Sequence, residues 1–122
     1  MKLFSLSGEW VEAVESGWRV GLSVENVSDL GDVTFIELPL VGTRVAPDSP
    51  AAVIEAVKAA TDFHPPVSGT VRLVNAAVSG NPGLLNQDPE GEAWLIELAN
   101  VVPGDLEPLL TEVAWRAKVH RE

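Results

Sequence analysis

The chain has 122 residues, no cysteine, 46% hydrophobic residues and a formal net charge of -10 at pH 7. That length suits one domain with a modest core, expected to span residues 1–122. Lack of thiols excludes disulfides, thiolate nucleophiles and zinc–thiolate sites, and the acidity argues against nucleic acid and for partners that are basic where they dock.

No apolar run is long enough to span a bilayer, and Met1-Lys2-Leu3-Phe4-Ser5-Leu6 is too short for a secretion signal before Glu9 arrives. The expectation is a soluble, cytoplasmic protein with no membrane partner.

Residues 3–14 read as one or two short extended pieces around Ser7-Gly8-Glu9-Trp10, and Ser16-Gly17 signals a turn. Residues 18–24 alternate large apolar with small or polar side chains, as a half-buried strand does. Residues 25–30 suggest a single helical turn closed by Gly31. Residues 34–38 are β-branched and aromatic, hence a strand that Pro39 ends, and Thr43-Arg44-Val45 is a short strand in a loop-rich stretch.

Residues 69–75 form another strand, followed by two turn clusters, 79–83 and 86–91, that frame a short connection. Residues 93–98 are the last strand. Asp105 is placed to cap a final helix, with Pro108 in its first turn and an apolar stripe of Leu106, Leu109, Leu110, Val113, Ala114 and Ala117. Trp10, Trp18, Trp94 and Trp115 are taken as core. Many short strands with Gly/Pro turns and a terminal helix fit a mainly β sandwich or flattened barrel with helical appendages.

The stretch from Ser49 to Pro66 is harder to assign. Ser49 is a possible N-cap with Pro50 after it, the segment is alanine-rich, Glu55 and Lys58 are spaced i,i+3, and Pro65-Pro66 supply a stop, so propensity alone predicts a helix. The chain has three lysines, and Lys2 and Lys118 lie near the ends, which leaves Lys58 the only ammonium of the interior. Set among Ala and Val, its strongly hydrated head should project outward. On spacing alone, that describes an ordinary surface lysine.

Glu55-Ala56-Val57-Lys58-Ala59-Ala60-Thr61-Asp62 followed by Pro66-Val67-Ser68-Gly69 resembles the lipoyl-attachment segment of the glycine cleavage system H protein family. Ser7-Gly8-Glu9-Trp10, Val20-Gly21-Leu22, Leu30-Gly31-Asp32-Val33, Glu37-Leu38-Pro39, Val41-Gly42, Val74-Asn75, Pro82-Gly83-Leu84-Leu85-Asn86, Asp88-Pro89 and Trp94 extend the likeness in order over nearly the whole chain. The resemblance implies a barrel-sandwich hybrid in which the segment is a β-hairpin with the lysine at its tip, against the local helix reading.

It also implies lipoate covalently attached to Lys58 by a lipoyl ligase or transferase. The expected activity is a non-catalytic shuttle for an aminomethyl group between glycine decarboxylase, aminomethyltransferase and dihydrolipoyl dehydrogenase. The loaded arm would fold into a cleft marked here by Ser7, Glu9 and Asp62.

Four positions depart from the family pattern: Gly8 replaces a usual His, Ala56 a Ser, Glu90 a Tyr, and a Tyr-containing turn near residues 23–27 is rewritten. Related carriers serve other redox or lipoyl-transfer pathways, and an unmodified β interaction module is the reading from a different class. The flanking Val57 and Ala59 disfavour a biotin carrier, where methionines are usual. His64 and His120, the only imidazoles, are too few for a metal site, and His64 reads as a loop residue.

Overall fold

A computed structural model describes residues 1–120. In chain order it comprises β1 (Lys2–Phe4), β2 (Glu9–Val14), β3 (Gly17–Leu22), α1 (Val24–Leu30), β4 (Val33–Glu37), β5 (Arg44–Val45), β6 (Ala52–Ala56) and β7 (Ala60–Phe63). Then follow β8 (Gly69–Val74), α2 (Ala76–Gly80), α3 (Gly83–Gln87), β9 (Ile96–Ala99), a 3-10 turn (Pro103–Leu106), β10 (Leu110–Thr111) and α4 (Glu112–Val119).

The strands make two antiparallel sheets, one of seven strands in the order β10-β1-β2-β3-β9-β8-β5 and one of three in the order β4-β6-β7. Alternation drives their packing. Val11, Val20, Val71, Ile96 and Leu98 from the large sheet meet Ile36, Ile54 and Phe63 from the small one in a shared core. The result is the flattened barrel-sandwich hybrid expected.

Helix α1 closes one side and forms for local reasons. The Ser23 hydroxyl accepts the Asn26 N–H at 3.1 Å while the Asn26 side chain accepts the Ser23 N–H at 3.3 Å, a reciprocal cap. Gly31, at φ 77°, ends it with its N–H donating to the Val27 carbonyl. Val27 and Leu30 bury the inner face.

The segment predicted as helix on propensity is the β6–β7 hairpin. Ala52 and Ile54 alternate inward, Phe63 joins them, and pairing with β4 satisfies the other edge of β6. A helix would have left β4 unpaired and that apolar row without a core, so tertiary pairing outweighs propensity.

Other expectations are corrected: the strand read over residues 93–98 spans Ile96–Ala99 and is not the last, since Leu110–Thr111 follows it. The terminal helix does not begin at Asp105, whose carboxylate accepts the Ser68 N–H at 2.9 Å. Residues 110 and 111 instead extend to pair with Leu3 and Phe4 of β1, and α4 starts after Thr111, whose hydroxyl accepts the Ala114 N–H at 3.2 Å. The proposed stripe fails accordingly: Val113, Ala114 and Ala117 are exposed, and the buried residue of α4 is Trp115. Its ring stacks on Phe4 at 4.9 Å between centroids, in a small second cluster with Trp10.

Of the four tryptophans taken as core, Trp18 and Trp94 are only half-buried, and Trp94 carries the Arg19 guanidinium 4.4 Å above its ring. The connection after β8 also holds two short helices that local turn signals did not reveal. No helix among the described residues is long and apolar enough to cross a membrane.

Candidate functional site

Lys58 stands at the tip of the β6–β7 hairpin. Glu55 and Ala60 are the last register pair, and the Ala56 N–H donates to the Ala59 carbonyl at 2.8 Å across the turn. Val57 donates its N–H to the Asp32 carbonyl at 2.9 Å, which ties the tip to the segment leaving α1. Lys58 is exposed and makes no ion pair among the described residues. Its amine is therefore presented on a braced turn without a carboxylate holding it down.

The aliphatic stem rests over backbone. A Cβ built on Gly31 would lie 3.1 Å from Lys58 Cε and 3.3 Å from its Cγ, so the missing side chain makes a shallow cradle for the stem. Asn86 fixes the cradle by donating to the Gly31 carbonyl at 2.8 Å and accepting the Val33 N–H at 2.9 Å. Small neighbours Ala56, Ala59 and Ala60 leave the amine approachable, so the surroundings fit a long group attached there.

Beside the hairpin lies a cleft of about 200 Å3, floored by Leu22 and Leu30 and walled by Glu9, Asn26, Asp29, Thr61 and Asp62. It brings together Glu9 from β2 and Asp62 from β7, two of the three residues expected to act jointly. Ser7 does not line it but stands behind Glu9: its hydroxyl donates to Glu9 Oε1 at 2.6 Å, and the Ser5 hydroxyl donates to the same oxygen at 2.7 Å. Ser7 faces an adjoining depression of about 520 Å3 that shares Asn26 and Asp29 with the cleft. Acidic residues around an apolar floor suit a cation, because charge-assisted hydrogen bonds strengthen where water is partly excluded.

Asn26, Asp29 and Thr61 went unremarked in the sequence. The spacing of Ser23 and Asn26, which is that of a capping box, was the one available signal, and it points to a helix start rather than to a site.

The departures at residues 8 and 90 have structural reasons. Gly8 sits at φ 102°, and a Cβ there would come within 2.8 Å of the Asn26 amide nitrogen. Glu90 Oε2 accepts the Val24 N–H at 2.8 Å and pairs with Arg116, so this carboxylate braces both α1 and α4. Arg116 also binds Glu25 and Glu112, and Glu25 in turn lies 3.0 Å from His120. Burial works against the charge of Glu25, but hydrogen bonds from Arg116 and its own backbone outweigh it and hold the carboxyl below its ordinary range. The same partner, Glu25, pushes the Arg116 guanidinium further up.

A lone amine raised on a stiff hairpin beside a cleft is the layout of a carrier that bears its group on an arm, and the two-sheet fold is the one such carriers use. Comparison with known proteins gives the particular family. The family model described as glycine cleavage H-protein matches residues 2–122. A glycine cleavage system H protein of Legionella pneumophila (strain Corby) is 38% identical over 119 residues, covering 98% of this chain and 95% of its own length. That of Thermotoga maritima is 40% identical over 116 residues, covering 95% and 94%. The crystal structure of a glycine cleavage system H protein from Mycobacterium marinum superposes with a TM-score of 0.85 at 27% identity, covering 98% of this chain and 96% of that one. The chain belongs to the glycine cleavage H-protein family, the lipoyl carriers of the glycine cleavage system.

Proposed function

We propose that Lys58 is the residue that carries the lipoyl group, that residues 1–122 act as one non-catalytic carrier unit, and that the cleft of Glu9 and Asp62, with Ser7 behind Glu9, holds the amine of the aminomethyl cargo. The observation that carries this reading is the exposed, unpaired amine at the hairpin tip, its stem cradled on Gly31. Acylation of Nζ removes the lysine charge, and the attached group then supplies the sulfur chemistry while the protein supplies position and shelter.

Each protein residue has a defined task. The hairpin holds the attachment atom outward, where a lipoyl ligase or transferase reaches it past alanines. Gly31 keeps the stem low, so that the arm leaves along the surface beside Leu30, which floors the cleft. Glu9 and Asp62 accept hydrogen bonds from a protonated amine, while Ser5 and Ser7 hold the Glu9 carboxylate in place. The partners that take up, process and reoxidise the arm are glycine decarboxylase, aminomethyltransferase and dihydrolipoyl dehydrogenase, met in the cytoplasm.

Intact-mass analysis tests the assignment. Incubation with a lipoyl ligase, ATP and lipoate is expected to add one lipoyl group to the chain and none to Lys58→Arg. The modified chain should then support glycine decarboxylation with those partner enzymes. No gain in mass, or an equal gain on the variant, overturns the reading and leaves an interaction module; a gain without decarboxylation assigns the carrier to another pathway.

A further inference from the structure

We propose that Asn26 is a positioning residue for the cargo cleft, and that Gly8 and Asn26 form a matched pair through which helix α1 aims the Glu9 carboxylate. This inference rests on the cleft assignment made above.

Asn26 uses every part of its side chain. Its Oδ1 accepts the Ser23 N–H at 3.3 Å and so completes the cap of α1, while its Nδ2 donates to the Ser7 carbonyl at 2.9 Å. Ser7 in turn donates its hydroxyl to Glu9 Oε1 at 2.6 Å. A series of contacts thus runs from the start of α1 through residue 7 to the carboxylate of Glu9, a residue that lines the cleft. Asn26 itself lines that cleft, as do Asp29 and Leu30 one turn further along the same helix. One side chain therefore fixes the strand-side wall of the cleft against its helix-side wall.

The arrangement depends on what is missing at residue 8. The chain passes Asn26 so closely that a Cβ on Gly8 would lie 2.8 Å from Nδ2, 2.9 Å from Oδ1 and 2.9 Å from the Ser23 hydroxyl, and the backbone there is at φ 102°. A side chain at residue 8 would be strained at that φ and would force the Asn26 amide and Ser23 hydroxyl aside, which disturbs the bond to Ser7. The capping residue three places into a helix is commonly Glu or Gln, which reach back to the cap alone. The shorter Asn leaves its second group free to bond across to the neighbouring turn. The rewritten residues 23–27 and the glycine at residue 8 are, on this view, one compensated change rather than two separate ones.

Asn26→Gln separates the two roles. Its longer side chain reaches back to the Ser23 N–H as in the common capping box and adds no charge to the cleft, but the donor to Ser7 is gone. In the unmodified full-length chain, the Glu9 carboxyl carbon and the Ser7 and Gly8 amides are expected to shift in NMR spectra, with the thermal midpoint within about 3 °C of the parent. In the lipoylated, aminomethyl-loaded chain, ammonia release is expected to quicken about 3- to 10-fold, the size of one lost hydrogen bond, as it should for Glu9→Gln. Combining Asn26→Gln with Glu9→Gln should add nothing further.

Should Asn26→Gln fold poorly, Asn26→Ala serves in its place, since it removes the donor to Ser7 without adding charge and leaves the Ser23 hydroxyl its bond from the residue 26 N–H. An unmoved Glu9 resonance, or effects of the two substitutions that multiply, overturns the positioning role. If Glu9→Gln leaves ammonia release unchanged, the cleft assignment fails instead, and the Glu9 resonance of the unmodified variant still decides whether Asn26 orients that carboxylate.

Discussion

Gly31 meets two demands at one residue. Its φ of 77° and ψ of -153° lie in a region that is essentially glycine's alone, and its bare Cα faces the Lys58 stem. Gly31→Ala is therefore expected to lower stability by about 1–3 kcal/mol from backbone strain, measured by urea unfolding. The same methyl group would lift the Lys58 stem, whereas Gly42, at φ 95° with nothing within 4 Å of a Cβ, bears strain alone. Comparing alanine at the two sites separates strain from contact: both should lose stability, and ligase-catalysed modification of Lys58 should slow only for residue 31.

At the scale of elements, α4 is held by charge as much as by the stacked rings of Phe4 and Trp115. Arg116 spans Glu25 on α1, Glu90 in the loop after α3 and Glu112 one turn earlier on α4. Because Glu25 is held below its ordinary value of 4.5, the folded state binds fewer protons than the unfolded chain as pH passes through that range. Its contribution is therefore present above about pH 4.5 and disappears as pH falls through the depressed value. Arg116→Met should cost on the order of 1–2 kcal/mol at neutral pH, and urea unfolding curves of parent and variant should converge as the pH falls below the ordinary carboxylate value of 4.5 and on through the depressed one.

This element also marks where sequence reasoning stops. The cap of helix α1 at Ser23 was read into the preceding strand, whereas its end was legible because Gly31 marks it locally. The start of α4 was not, since β10 is extended only by pairing with β1 at the other end of the chain, and no local period records that partner. Likewise Lys58 could be singled out as the sole interior lysine, and the family likeness turned its segment from helix to hairpin. Asn26 stayed hidden because its importance lies in what it touches across the fold.

The molecule as a whole has a net charge of -10, and several of its arginines are occupied internally: Arg19 and Arg72 flank the buried Glu97, and Arg116 is held by three carboxylates. The field presented to partners is negative. Association with the glycine decarboxylase proposed above as a partner is expected to slow about 10-fold or more between roughly 50 mM and 500 mM salt in stopped-flow measurements, while dissociation changes little.

The bond from the Val57 N–H to the Asp32 carbonyl bears on how such a carrier shares its cargo. With the arm on Lys58 as proposed above, this bond anchors the swivel point, so a tethered end explores a bounded shell centred on one spot instead of following a wandering loop. Within that shell the local concentration of the end is set by arm length, on the order of millimolar for short flexible tethers. On that reading the cleft and a docked enzyme compete for the same end, and delivery is decided by which of the two grips it better.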